Sequence, residues 1–172
     1  MFPTNASKLL PWAPVAIRLG LAVIFIAHGG QKLFAIWGGP GLQTTIEAFE
    51  RSIGVPSYLT LIVVGTEFFG GLTVLIGFFT RLAAAWLAID MVAAIIKVHL
   101  MNGFFLNWSI HPGKGHGYEF NLALLAMSIA LLLSGPGRFA LDRCWISRRS
   151  KFSLRSLIFA VIDRIDNDIR QV

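Results

Sequence analysis

Eight ionisable side chains interrupt stretches of sequence that are otherwise apolar: Arg18, His28, Lys32, Glu67, Asp90, Lys97, His99 and Glu119. Each would cost about 2.5–3.5 kcal/mol in the middle of a membrane-spanning helix, so each needs a partner or a purpose. Carboxylates and imidazoles held in an apolar setting suit proton transfer, because histidine titrates near neutrality and a carboxyl group can carry a proton. Lysine can pair with a carboxylate or reach back to the bilayer surface by snorkelling. For Lys32, Lys97 and His99 both readings stand. For Glu67 and Asp90, which lie too deep to snorkel, the alternatives are a proton-carrying role and a structural ion pair or interhelical hydrogen bond. Arg18 is expected to be an interfacial anchor.

Spacing sharpens this picture. His28, Gln31 and Lys32 fall at i, i+3 and i+4, one face of a helix. Asp90 and Lys97, seven apart, share one side of another helix, from which His99 is expected to point away. The simplest arrangement has Glu67 facing one or more cations from the first and third helices in a polar pocket open to the outer side. His99, His111, His116 and Glu119 cluster in sequence and are types that bind zinc or iron, but no HxH or i, i+4 histidine pair occurs, so no metal site is expected. No motif for flavin, nucleotide or nucleophilic chemistry is present.

The elements that must position these residues are membrane helices. Of 172 residues, 55% are hydrophobic and 14% charged, against about 25% charged in soluble domains. The mean hydropathy is +0.68. Four apolar runs, 13–34, 58–79, 82–100 and 118–134, are candidates to cross a bilayer core of about 30 Å. They predict an all-α, integral membrane four-helix bundle. The two middle runs are expected to join through a tight turn at Thr80 and Arg81, and the fourth run to stop at GPGRF. The first run, with no cleavage site after it, would act as an uncleaved insertion signal.

Basic residues set the orientation. Lys8, Arg81, Arg138, Arg143, Arg148, Arg149, Lys151 and Arg155 gather on the side of both termini, against Lys32, Arg51 and Lys114 opposite. N-in, C-in topology follows, with Glu67 about 14 Å and Asp90 about 15 Å in from the outer end. The connection 37–57 reads as a loop and a short surface helix, and 101–117 as irregular. The chain divides into a transmembrane domain, 1–142, and a basic tail, 143–172, whose periodicity predicts an amphipathic helix on the cytoplasmic surface. The charge of +6 is what a basic cytoplasmic edge produces, and nucleic-acid binding is not expected. The lone Cys144 forms no intrachain disulfide.

Four strings, RLGLAVIFIAHGGQKLF, TEFFGGLTVLIGFFTRLAA, HLMNGFF and GYEFNLALLAMSIALLLSGPGRFALD, together resemble the DoxX family of small bacterial membrane proteins over residues 13–142. The resemblance implies a four-helix bundle in the bacterial cytoplasmic (inner) membrane and a link to membrane redox work, including small subunits of a thiosulfate:quinone oxidoreductase. Carried over by position, His28, Gln31, Lys32, Glu67, Arg81, His99, Asn102, Gly103, Tyr118 and Glu119 match the family's polar pattern. The function expected on this basis is that of a subunit of a quinone-linked oxidoreductase. Glu67 would carry protons and His28 or His99 would contact a quinone carbonyl. Gln31, Lys32, Lys97, Asn102, Tyr118 and Glu119 would bind the quinone. Electrons would come from a partner oxidoreductase subunit, and self-association is open. The alternatives are a scaffold that recruits a soluble oxidoreductase and a small solute or proton transporter.

Overall fold

Residues 9–142 are described by a computed structural model. The basic tail 143–172 and its expected amphipathic helix lie outside the described residues. Among the described residues every regular element is helical. The α-helices are α1 (Ala13–Phe34), α2 (Gly41–Ile53), α3 (Ser57–Ile76), α4 (Thr80–Ala94) and α5 (Glu119–Ser134). A short turn of helix, Leu10–Trp12, leads into α1, and α4 runs on through Ile95–His99 and Leu100–Asn102. Three stretches are long and apolar enough to cross a bilayer: Leu10–Phe34, Ser57–Ile76 and Thr80–Asn102, of 25, 20 and 23 residues. The fourth apolar helix, α5, has 16 residues, about 24 Å at the helical rise, and is shorter than the other three.

The packing runs in a cycle. α1 lies against α3, α3 against α4, α4 against α5, and α5 returns to α1. Leu21, Phe25, Val74, Leu87, Met91, Leu124 and Leu131 fill the centre. The outward faces are also apolar: Val23, Ile62, Phe69, Trp86, Ile89 and Leu133 are exposed, while Arg18, Glu67, Asp90, Asn121 and Ser128 are buried. Water does not favour that distribution. Hydrocarbon does, because lipid tails solvate leucine well and an unpaired polar group badly.

The end where α3 turns into α4 is stitched by polar contacts. α3 stops at Gly77, whose φ of +70° suits glycine. A Cβ there would meet the Arg18 guanidinium and Ala140 at 2.7 Å. The turn occupies Gly77 to Phe79, not Thr80 and Arg81 as expected; those two residues already form the first turn of α4. The cause is distant in sequence. The Asp142 carboxylate accepts the N–H groups of Phe79 at 2.7 Å and Thr80 at 2.9 Å, supplying from afar the cap a local Ser or Asp usually provides. Arg18 is likewise no simple interfacial anchor. It is buried, and its guanidinium donates to the carbonyls of Val74 (2.9 Å), Leu75 (2.7 Å), Pro136 (2.9 Å) and Arg138 (3.1 Å). Those carbonyls belong to the last turn of α3 and the segment after α5, where helix ends leave C=O groups unpaired.

At the opposite end, α2 packs on α1 and α3. The segment 103–118 is irregular, as expected, yet well bonded. Asn107 donates to the carbonyls of His111 at 3.1 Å and Lys114 at 2.7 Å, and its Oδ1 accepts the His111 N–H at 3.0 Å.

Candidate functional site

A close approach of α1 and α3 begins the site. A Cβ on Gly29 would fall 2.5 Å from the Phe68 backbone nitrogen and 2.7 Å from its Cα, so glycine lets the two backbones touch there. One turn beyond Gly29 stands Lys32, and beside Phe68 stands Glu67. The contact places Lys32 Nζ 2.5 Å from Glu67 Oε1. The ring of Phe49, from α2, has its centroid 5.9 Å from the same ammonium, within the range of a cation–π contact. Glu67 is almost wholly buried, with its side chain 6% exposed against 22% for Lys32. Its second oxygen, Oε2, is buried without a hydrogen-bond partner, and so is Oδ2 of Asp90.

These groups line a cavity of about 790 Å³ at the end of the bundle that carries α2 and the segment 103–118. Its walls are largely apolar, with Ile24 and Phe25 from α1, Val63 from α3, Met91 from α4 and Leu124 from α5. Phe49 from α2 and Trp108 and Ile110 from the irregular segment also line it. Polar atoms enter at a few points only, which is the usual design of a site for a small, mostly apolar molecule.

Of the residues singled out by sequence, His28, Lys32, Glu67, Lys97 and His99 line the cavity. His99 was expected to face away from Asp90 and Lys97, about 200° round an α-helix from the latter. The helix instead widens into a π turn over Ile95–His99. That wider winding changes the angular step, and Asp90, Lys97 and His99 all reach the cavity. Such turns recur at functional sites. His99 Nδ1 lies 2.8 Å from the His116 carbonyl oxygen. A carbonyl only accepts, so Nδ1 carries the proton, and in the neutral ring Nε2 is left as the acceptor.

Four other residues are engaged elsewhere, and none lines the cavity. Gln31 donates to the Trp37 carbonyl at 3.2 Å. Asn102 donates to the carbonyls of Val98 at 3.2 Å and His116 at 3.3 Å. The Tyr118 ring stands edge-on to Phe104 at 5.3 Å. Glu119 Oε1 accepts the Leu106 N–H at 2.9 Å. The polar groups of Gln31, Asn102 and Glu119 thus serve backbone that would otherwise be unpaired, while Tyr118 contributes its ring. Among the described residues, no three His, Cys, Asp or Glu side chains converge as metal ligands.

Sequence reasoning missed Asn107, Trp108 and Asn121 and weighed His116 only as a metal ligand; all four line the cavity. Asn121 had a visible signal, since it is an amide within an apolar run, but a search limited to ionisable types passes over it. Its Nδ2 finds only the Met91 sulfur at 3.7 Å.

Helices with apolar outer faces, enclosing a cavity edged with buried carboxylates, define a membrane protein with an internal, largely apolar cavity. The chain belongs to the DoxX family, whose sequence pattern matches residues 13–100. An uncharacterized membrane protein of Mycobacterium tuberculosis is 37% identical over 139 residues, 77% of this chain and 81% of the relative. CatD of Bacillus subtilis, named provisionally as an oxidoreductase, is 33% identical over 73% of this chain and 81% of its own length. The inner membrane protein YqjF of Escherichia coli is 30% identical over 79% of this chain and 94% of its own length. No solved structure matches the chain.

Proposed function

We propose that this DoxX-family protein is the membrane subunit of a quinone-linked oxidoreductase and that the cavity at the α2 end receives the quinone ring. The observation that carries the reading is the union of a mostly apolar cavity of about 790 Å³ with a buried carboxylate, Glu67, one of whose oxygens has no partner. The volume falls in the usual range for small-molecule sites, about 300–1,000 Å³. The provisional name of CatD supports a redox role.

Reduction of a quinone takes two electrons and two protons and yields a quinol. In this reading a partner oxidoreductase subunit delivers the electrons. Glu67 delivers one proton through Oε2 while Lys32 holds Oε1 and fixes the carboxylate plane, and water entering the cavity supplies the second. His28 or His99 forms a hydrogen bond to a quinone oxygen. In the same reading all four apolar helices cross the bacterial inner membrane with both termini in the cytoplasm, which puts the cavity toward the outer face. Arg81 at the start of α4, Arg138 after α5 and the basic residues of the tail sequence support that orientation, and the name of YqjF supports the membrane.

Extraction of lipids from the purified protein tests the proposal. Wild type should retain quinone at roughly one per chain, in the manner of a single formed site. An Ala94→Phe variant, whose ring would occupy the cavity, should retain none. Quinone no more abundant in wild type than in Ala94→Phe would contradict the reading and favour a scaffold without a ligand.

A further inference from the structure

We propose that the cavity selects the reduced, hydroxyl-bearing form of its ring ligand, and that Asp90 is the specificity-determining residue, acting with Glu67. The inference rests on the quinone reading above.

The argument starts from which atoms lack partners. Among the described residues, three buried side-chain oxygens have no hydrogen bond: Glu67 Oε2, Asp90 Oδ2 and Thr80 Oγ1. Thr80 begins α4 at the far end of the bundle. The other two belong to cavity-lining residues that are 5% and 7% exposed. Glu67 Oε1 is already committed to Lys32. Asp90, on α4, lies within charge–charge range of both Glu67 and Lys32. Two carboxylates from adjacent helices therefore lie in the wall of one cavity, close enough to feel the same cation, and each keeps one buried oxygen without a hydrogen bond.

An ionised carboxylate oxygen can only accept a hydrogen bond. An oxidised quinone also presents only acceptors, its two carbonyl oxygens, and once both carboxyls are ionised, Glu67 having given up its proton, it would leave both protein oxygens buried and unpaired. That arrangement is penalised. A hydroquinone presents O–H donors and can give a hydrogen bond to either carboxylate oxygen. The shape of the cavity does not distinguish the two forms, which differ by two hydrogens. The donor and acceptor inventory does. By linkage, whatever factor favours the quinol in binding also shifts the bound couple toward the reduced form by that factor.

Anaerobic titration calorimetry on the full-length protein in detergent tests this, with duroquinol, duroquinone and duroquinol dimethyl ether as probes. In wild type, duroquinol should bind on the order of tenfold more tightly than duroquinone, the worth of a charge-assisted hydrogen bond. The ether keeps the ring and loses both donors, and should show none of that advantage. Asp90→Asn should lose most of the preference, because its amide nitrogen donates where the carboxylate accepted, and duroquinone binding should persist or improve. Asp90→Glu should restore the preference. Equal affinity for the two redox forms in wild type, or an undiminished preference in Asp90→Asn, overturns the inference and leaves the quinone site standing. Failure of wild type to bind any of the probes overturns both. Should Asp90→Asn fail to fold, the comparison of duroquinol with its ether in wild type still decides.

Discussion

The two ends of the helix bundle use similar residues in opposite ways. At the α3–α4 turn, Arg18 reaches four backbone carbonyls, Asp142 caps two N–H groups and Arg81 donates to the Leu133 carbonyl at 3.3 Å. Apart from the Thr80 hydroxyl, the buried polar side chains of that end find protein partners. At the α2 end, Glu67 and Asp90 are equally buried, yet each keeps an oxygen free beside a cavity. Charge inside a membrane protein is costly in both places. Where it is fully satisfied by backbone it holds helices together. Where it is left partly unsatisfied in a cavity wall, we propose that it serves a ligand or a proton.

If that contrast is right, substitutions at the turn end should cost stability, and those in the cavity should cost ligand handling. The largest loss of stability is expected for Arg18→Met, which strands four carbonyls near the helix ends. Roughly 3 kcal/mol or more should disappear, read as a shift in the unfolding midpoint in a denaturing detergent titration. Retention of wild-type stability would mean that lipid or water replaces those bonds.

Gly29→Ala comes next. Its methyl group would press on the Phe68 backbone and part α1 from α3, at about 1–3 kcal/mol. It should also weaken the Lys32–Glu67 pair. A double-mutant cycle between Gly29→Ala and Lys32→Met measures this: coupling well above zero is expected, and simple additivity would show that the close approach does not position the pair.

Asp142→Ala should cost less, about 1 kcal/mol, the usual worth of a helix cap. Hydrogen exchange at the amides of Phe79 and Thr80 should accelerate, with little change in the cavity end. Unchanged exchange there would remove Asp142 from its capping role.

How much of this was open to a reader of the sequence follows from the same contrast. Hydropathy located the spans because it depends on composition over many residues, and α1 begins and ends where expected. The α3–α4 turn was misplaced by three residues because its cap comes from Asp142, a tertiary contact that no local pattern reveals. Arg18 looks the same in sequence whether it snorkels or clamps. Glu67 could be expected to face a cation from the first or third helix, and only the structure selects Lys32. His99 could not be placed, because the π turn over Ile95–His99 breaks the periodicity used to place it. The polar residues Gln31, Asn102, Tyr118 and Glu119 were grouped with the site by type and resemblance, and only their contacts separate loop-holding polarity from cavity polarity.

The central claim is that Glu67 serves the cavity and not the architecture, and one paired measurement on Glu67→Gln tests it. The amide preserves the shape and can still bond to its surroundings, but it cannot carry a proton near neutral pH. Melting temperature in detergent and quinone-coupled activity in membranes should be measured on the same preparations, with Glu67→Leu as the control that removes all hydrogen bonding. The account predicts a Glu67→Gln protein of nearly wild-type stability, within about 1 kcal/mol, whose quinone-coupled activity is lost. A stable Glu67→Gln protein with full activity would contradict it.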